Sequence, residues 1–278
     1  MFKPSIPVLM YHHVRPDAGM IACTPEHFES QLQWLQQHGY HSISLDQFAQ
    51  HLAGKDLGPK AVLITFDDGY LNNWVYAYPL LKKYGFKACI FLVSSWLHHG
   101  AIRPNSTSTQ PLPACPDHYQ CEALIAAGRS DEVILRWSEV LAMQDSGLIE
   151  FHSHTHTHTR WDQQIGTDKN SRMQWELAQS KHCLLTELGQ SSEHLCWPQG
   201  YFDEDYIQIA QQAGFNYLYT TQAFGRNTAQ TSPLHIHRFA VRNRPGRTLG
   251  KRIRASHHPL IAPFFNSFKA WRKQYKAN

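Results

Sequence analysis

Short apolar runs alternate with amphipathic helical stretches from Val8 to Val241, and this alternation constrains the fold more than any other feature. Strands are expected at Val8–Tyr11, Ser42–Leu45, Ala61–Phe66, Lys87–Val93, Leu148–His152, Leu195–Trp197, Phe215–Thr220 and Leu234–Val241. Between them the spacing predicts helices. Thr24-Pro25-Glu26 opens one, with Thr as N-cap, Pro at the first helical position, Phe28, Leu32 and Leu35 on one face, and Gly39 past its end. Others are expected at Leu45–Leu52, Asn72–Tyr84, Asp131–Asp145, Ser171–Leu188 and Asp203–Ala213. Strands that alternate with helices in this way form a parallel sheet with crossover helices, either a barrel or a doubly wound sheet. The Pro- and Ser/Thr-rich stretch from Ser94 to Ser130 reads as a long loop insertion. Neither an internal repeat nor a Gly-rich phosphate loop interrupts the pattern.

At 278 residues the chain suffices for one large α/β barrel or two small domains, and its 42% hydrophobic and 17% charged residues exclude disorder over most of its length. No run of 18 apolar residues offers a membrane span. The start, Met1 to Pro7, has no basic region followed by an apolar stretch, so a cytoplasmic location with free thiols at Cys23, Cys89, Cys115, Cys121, Cys183 and Cys196 is the expectation. The net charge of +4 hides an asymmetry. From Phe239 onward there are ten Lys/Arg and no Asp or Glu, whereas the first 238 residues hold 16 basic and 22 acidic residues. Phe264, Phe268 and Trp271 share a helical face in this tail, near Lys269, Arg272, Lys273 and Lys276. Such a helix either docks on the domain or lies in an anionic membrane interface. No nucleic-acid motif accompanies the charge, so nucleic acid is not expected as a partner. The domain organisation read from these features is a catalytic unit over residues 1–241 and a basic amphipathic tail over 242–278.

Chemistry concentrates where strands end. Thr65-Phe66-Asp67-Asp68-Gly69 closes an apolar strand and sets two carboxylates at the edge where parallel barrels carry their sites. His152-Ser153-His154-Thr155-His156-Thr157-His158 follows another strand. His154 and His158, or the displaced pair His152 and His156, have a spacing that can converge on one cation. An Asp with two His suits a divalent ion, with Zn²⁺ the default and Co²⁺ or Ni²⁺ able to fit. Cys196-Trp197-Pro198-Gln199-Gly200-Tyr201 forms a tight turn after a strand, His12 ends the first strand, and Leu234-His235-Ile236-His237-Arg238 offers a cation to a carboxylate.

With these motifs in this order, the chain resembles the polysaccharide deacetylases of the NodB-homology, or carbohydrate esterase 4, family from about Val8 to Val241. Thr65 to Gly69 is similar to that family's T-F-D-D-G motif, and Ser153-His154-Thr155-x-x-His158 to its S/N-H-T-x-x-H motif. Trp137-Ser138-Glu139, leading to Ser146-Gly147-Leu148-Ile149-Glu150, resembles the segment that introduces the second motif. The resemblance implies a distorted (β/α)7 barrel and metal-dependent hydrolysis of an N-acetylated amino sugar, releasing acetate. Asp67 would be the catalytic base, and Asp68, His154 and His158 the metal ligands. Trp197, Pro198, Gly200 and the backbone of Tyr201 would bind substrate and oxyanion. Cys196 stands where the family's third motif often has an Arg, which resembles the branch containing the poly-β-1,6-N-acetylglucosamine deacetylases. That branch also begins with a strand like Val8–His12, as in a circular permutation, so His12 becomes the expected general acid ahead of His235 and His237. Arg238 is then the candidate for the missing positive partner of Asp67. The expected substrate is a polysaccharide, a lipid-linked glycan or a lipopolysaccharide precursor, met on the inner face of a bacterial membrane. A small-amide hydrolase on the same fold and an inactive glycan-binding barrel are the alternatives.

Overall fold

The computed structural model describes residues 4–277; Met1–Lys3 and the side chains of Lys273 and Lys276 lie outside the described residues. Strand β1 is Val8–Tyr11, followed by the short β2 (His13–Val14), β3 (Ala22–Cys23) and β4 (His41–Ser42). The remaining strands are β5 (Ala61–Phe66), β6 (Ala88–Leu92), β7 (Ile149–Ser153), β8 (His194–Cys196), β9 (Tyr217–Tyr219) and β10 (Phe239–Ala240). The main sheet runs β10-β1-β5-β6-β7-β8-β9 with parallel neighbours throughout, and β4 adds to the edge of β5. It curls far enough for one segment to touch both ends. Ile236 bridges Tyr219 of β9, and three residues later Phe239 pairs with Leu9 of β1. The result is the expected distorted barrel of seven parallel strands, its first strand at the N-terminus between β10 and β5.

The helices are α1 (Pro25–Gln37), α2 (Leu45–Leu52), α3 (Tyr78–Tyr84), α4 (His118–Ala126), α5 (Trp137–Asp145), α6 (Lys169–Leu188), α7 (Glu204–Gln212), α8 (Gly246–His257) and α9 (Ala262–Ala277). Their ends follow local chemistry. Thr24 accepts from the His27 N–H, Asp203 caps α7 through Tyr206, and Gly85 and Gly189 end α3 and α6 in left-handed conformation. The barrel interior is apolar in its lower layers, with Val8, Leu63, Cys89, Phe91, Cys196, Tyr219 and Ile236 packed over Phe48 of α2. A second cluster fills the space between the strands and α1, α3 and α5.

Five elements differ from expectation, each for a stated reason. The strand expected at Leu234–Val241 is reduced to β10 and a single Ile236 bridge, because Ser232 accepts from the Leu234 and His235 N–H groups and turns the chain there. The strand expected at Ser42–Leu45 stops at Ser42, because Ser44 and Gln47 form a reciprocal capping box that starts α2 at Leu45. The helix expected over Asn72–Tyr84 begins as a π-turn, Asn73–Ala77. Pro79 lacks the N–H that an α-helix would direct at Val75, so the backbone winds wider there. The helix expected from Asp131 starts only at Trp137, because residues 133–135 are drawn into pairing with 69–71. The insertion 94–130 is not all loop: an Asp117–Gln120 capping box nucleates α4 within it.

The C-terminal region is also structured. Helix α8 packs on α1 so closely that a Cβ on Gly250 would lie 2.1 Å from the Trp34 ring, and one on Gly246 would lie 2.2 Å from the Ser30 carbonyl oxygen. Chain beyond residue 241 therefore packs against the catalytic unit. Helix α9 rests on α8, where Asn266 donates to the Ser256 carbonyl at 3.1 Å. Phe264, Phe268 and Trp271 face outward, 80%, 55% and 58% exposed.

Burial pushes the rings of His13, His152 and His257 down to about 3, and that of His194 well below its usual range. These rings are neutral in the folded chain and take up protons on unfolding below about pH 6.5. Stability is therefore lost as the pH falls through that window. Denaturant titrations are expected to show the unfolding free energy at least about 2 kcal/mol lower at pH 5 than at pH 7.

Candidate active site

The two carboxylates leave β5 together but diverge. Asp67 continues the strand, its N–H donating to the Tyr11 carbonyl at 3.0 Å. Asp68 and Gly69 then take positive φ of 74° and 76°, a double left-handed turn that swings Asp68 away from its neighbour. A Cβ on Gly69 would come within 2.7 Å of the Leu92 side chain, so both the backbone conformation and the space favour glycine here.

Asp67 is buried and clamped by Arg238, whose Nη1 and Nη2 donate to its two oxygens at 2.7 and 2.8 Å. The guanidinium is itself fully enclosed. It donates to Thr65 Oγ1 at 3.2 Å, to the Thr220 carbonyl at 3.0 Å and to Cys196 Sγ at 2.9 Å. Burial pushes the Asp67 carboxyl up, but the guanidinium more than offsets it and holds the carboxyl below its usual range. His12 Nε2 lies 3.8 Å from Asp67 Oδ2. Asn73, at the start of the π-turn, donates to the His12 carbonyl at 2.8 Å and fixes the backbone there. Burial pushes the His12 ring down, with the two carboxylates opposing.

Asp68 faces two histidines from the loop after β7. Its Oδ1 lies 3.3 Å from His154 Nε2 and 3.6 Å from His158 Nε2, is buried, and takes part in no hydrogen bond. The loop coils through positive φ at Thr155 and His158, which brings the two rings to 4.9 Å. His154 Nδ1 donates to the Cys196 carbonyl at 2.8 Å, which leaves Nε2 as the nitrogen that faces Asp68. Burial would push the Asp68 carboxyl up, yet the three neighbouring imidazoles, His154 foremost, hold it far below its usual range. One ligand atom each from Asp68, His154 and His158 lies within 4.8 Å of the other two, and the Asp68 oxygen among them is buried without a hydrogen bond, a set that fits a divalent cation.

Several sequence candidates fall elsewhere. His152 lies inside the barrel and bonds Ser192 at 2.9 Å, while His156 bonds Ser94 at 2.9 Å, so the displaced pair does not converge. His235 packs on Phe202, and His237 lies against Gly225. Strand alternation turns both away from the Arg238 side, and neither joins Asp67. The Trp197 side chain is fully buried against Tyr206 and Phe202, so it supports the turn from below and presents nothing to a substrate. Pro198 is buried too, and the chain turns tightly over Pro198–Gly200 through left-handed Gln199 and Gly200, with φ of 54° and 72°. That turn uses the backbone donors expected for an oxyanion: Gly200 N–H donates to the Trp197 carbonyl at 2.9 Å and Tyr201 N–H to that of Pro198 at 3.1 Å.

Other residues carry the site without a motif to announce them. Glu176 of α6, wholly buried, accepts from the backbone of His156 and Thr157 at 2.8 and 2.7 Å, from the Thr157 hydroxyl, and from Trp161 Nε1. It fixes the loop that carries His158. Its place one turn after Met173 on an amphipathic helix was the only available signal, a carboxylate where the apolar stripe should run. The insertion supplies Trp96, 5.4 Å from the His158 ring, and His118, 3.3 Å from His13 Nε2. Arg160 stacks 4.2 Å over the Tyr201 ring and donates to Gln199, joining the histidine loop to the Pro198–Gly200 turn.

Removing the guanidinium should leave Asp67 as an unpaired buried charge. Arg238→Met is expected to lower the unfolding free energy by about 3 kcal/mol or more in denaturant titration. Arg238→Lys should recover only part of that loss, since an ammonium cannot bond both oxygens in a fork.

The polysaccharide deacetylase family model matches residues 54–218. His12 and Arg238 lie outside that match. Bacillus subtilis YxkH is 28% identical over 246 residues, covering 88% of this chain and 74% of that one. The poly-β-1,6-N-acetyl-D-glucosamine N-deacetylase of Escherichia coli K12 is 21% identical over 269 residues, covering 85% of this chain and 36% of its own length, so this chain spans about a third of that relative. Among solved structures, IcaB from Ammonifex degensii superposes with a TM-score of 0.72 at 22% identity, covering 91% of this chain and 98% of that one. Streptococcus pyogenes deacetylase PplD in complex with acetate gives 0.71 at 23% identity, covering 90% and 98%. The chain belongs to the polysaccharide deacetylase family of hydrolases.

Proposed function

We propose that this protein removes the acetyl group from an N-acetylated amino sugar, releasing acetate and a free amine, in a reaction that depends on a divalent metal. The observation that carries this reading is the pairing of two differently set carboxylates, an orphaned Asp68 aimed at two imidazoles and an Asp67 clamped as an anion beside His12. Asp68, His154 and His158 would hold the metal, Zn²⁺ first and Co²⁺ or Ni²⁺ as substitutes. When bound, such an ion polarises an acetamide carbonyl and makes water more acidic. Asp67 takes the proton of the attacking water. Arg238 holds Asp67 ionised and in place. His12 Nε2, on the Asp67 Oδ2 side, carries the proton that the departing amine requires.

For the substrate, the names of the relatives favour an acetamido glycan such as a β-1,6-linked N-acetylglucosamine polymer. The basic, aromatic tail favours a lipid-linked glycan or lipopolysaccharide precursor at the cytoplasmic face of a bacterial membrane. Helix α9, with Phe264, Phe268 and Trp271 outward, would be the part that meets the anionic surface. In that case phosphatidylglycerol vesicles should sediment the full chain, and Phe264→Glu with Phe268→Glu should leave it in the supernatant. A chain that stays in solution with and without these changes overturns the membrane placement.

The reaction is tested by acetate release from chito-oligomers, β-1,6-linked oligomers and lipid-linked glycans, with chelator and with Zn²⁺ restored. Release from at least one is expected to vanish with chelator and return with metal. Asp67→Asn should cost about 10²–10⁴-fold in kcat. Near-full activity of that variant with metal bound overturns the role of Asp67. No release from any glycan by metal-loaded protein overturns the polysaccharide reading.

A further inference from the structure

The positive charge that begins at Phe239 is gathered around a cavity. About 510 Å³ of space lies between α8, the end of β10 and the turn at Ala223–Phe224, and Arg242, Arg244, Arg252 and Lys269 line it. Arg252 is half-buried. Its guanidinium lies 5.3 Å over the Phe224 ring and 5.2 Å from each of Phe239 and Phe265, and donates to the Ala223 carbonyl at 3.2 Å. Among the described residues, none of the four cations forms an ion pair with a carboxylate, and the sequence from Phe239 onward contains none to offer. Burial and the neighbouring Arg242 both push the Arg252 pKa down, the mark of like charges held together without a counter-charge. Aromatic faces offset part of that repulsion, but the half-buried Arg252, with Lys269 beside it and the exposed Arg242 and Arg244 at the rim, has no carboxylate partner among the described residues.

The chain ties this cavity to α1 and to β1, the strand that ends at His12. Gln31 is fully buried, and its Nε2 donates to the carbonyls of Arg242 and Arg244 at 3.1 and 2.7 Å. Its Oε1 accepts from the Tyr11 hydroxyl at 2.7 Å. The parallel register Leu9↔Phe239 and Met10↔Ala240, continued by two residues, sets Arg242 level with His12. The arginine-lined mouth and the histidine therefore leave adjacent strands at the same barrel edge.

We propose that the cavity lined by Arg242, Arg244, Arg252 and Lys269 binds a phosphate ester. Arginine forks match phosphate oxygens in pairs, and the volume accommodates a sugar phosphate. That the phosphate belongs to the glycan being deacetylated rests on the function proposed above; phosphate binding itself does not. The site would select acetamido sugars carried on a phosphate or diphosphate over neutral oligomers.

Titration calorimetry of the full-length protein with inorganic pyrophosphate tests the site. Binding is expected, weakened at least about tenfold by Arg242→Glu with Arg244→Glu, both exposed, at unchanged thermal midpoint. Lys55→Glu, in the turn after α2 and not among the lining residues, should leave it unchanged. Absence of binding, or equal binding by the double variant, overturns the proposal. Vesicles of phosphatidylglycerol and of phosphatidylcholine distinguish the source. Loss of phosphatidylglycerol binding in parallel with pyrophosphate binding assigns the site to a lipid headgroup. Pyrophosphate binding that changes while vesicle binding does not assigns it to a phosphorylated glycan. In kinetics, the double variant should raise KM for a phosphate-bearing acetamido sugar and leave kcat, and turnover of a neutral oligomer, unaltered. Pyrophosphate binding lost in the double variant, together with no acetate release from any glycan, would uphold the phosphate site and remove the deacetylase reading alone.

Discussion

The contact between Arg238 and Asp67 is the interaction on which the architecture and the site both turn. Asp67 follows β5 and Arg238 precedes β10, so their bond links the two strands that flank β1. A charge pair enclosed to this degree is costly to dehydrate and holds only with good geometry and further partners. Here the fork fit supplies the geometry, and Thr65, Thr220 and Cys196 accept the guanidinium's remaining donors. The small Cys196 side chain leaves the space that the guanidinium fills. The same contact holds the closing segment against the interior where Ile236 reaches β9 and Phe239 reaches β1.

Above the apolar interior lies a polar layer in which each charge has a defined job. Asp67 is neutralised by a guanidinium, whereas Asp68 faces imidazoles, and that contrast sets the two adjacent carboxylates differently. The supports are spread through the chain. Asn73 holds the backbone at His12, Glu176 holds the His158 loop, and Cys196 orients His154 through its carbonyl and meets Arg238 through its sulfur. Substitution at Cys196 would thus disturb the two halves of the site together.

The strand ends, the two carboxylates and the His154–His158 pair were legible because each is written in contiguous residues with a period or a turn signal. Arg238 was found by looking for a cation to replace the one that Cys196 displaces. What escaped was non-local. Glu176 reads as one polar residue on a helix face until the loop it bonds is placed over it. The π-turn at Asn73–Ala77 is set by a proline two residues beyond it, and α4 hides in a Pro-rich stretch that suggests loop throughout. The Tyr201 N–H appeared free for a ligand because local sequence does not show that the turn bends tightly enough to use it.

The position of Arg238 in the chain has a consequence for biosynthesis. The strand that closes the barrel is the last to leave the ribosome, about 170 residues after Asp67. Until it emerges, the nascent sheet has two open edges, and the Asp67 carboxylate lacks its cation. The site is therefore completed only once residue 238 has emerged, and a chain that stops before Arg238 lacks the counter-ion that lets it close.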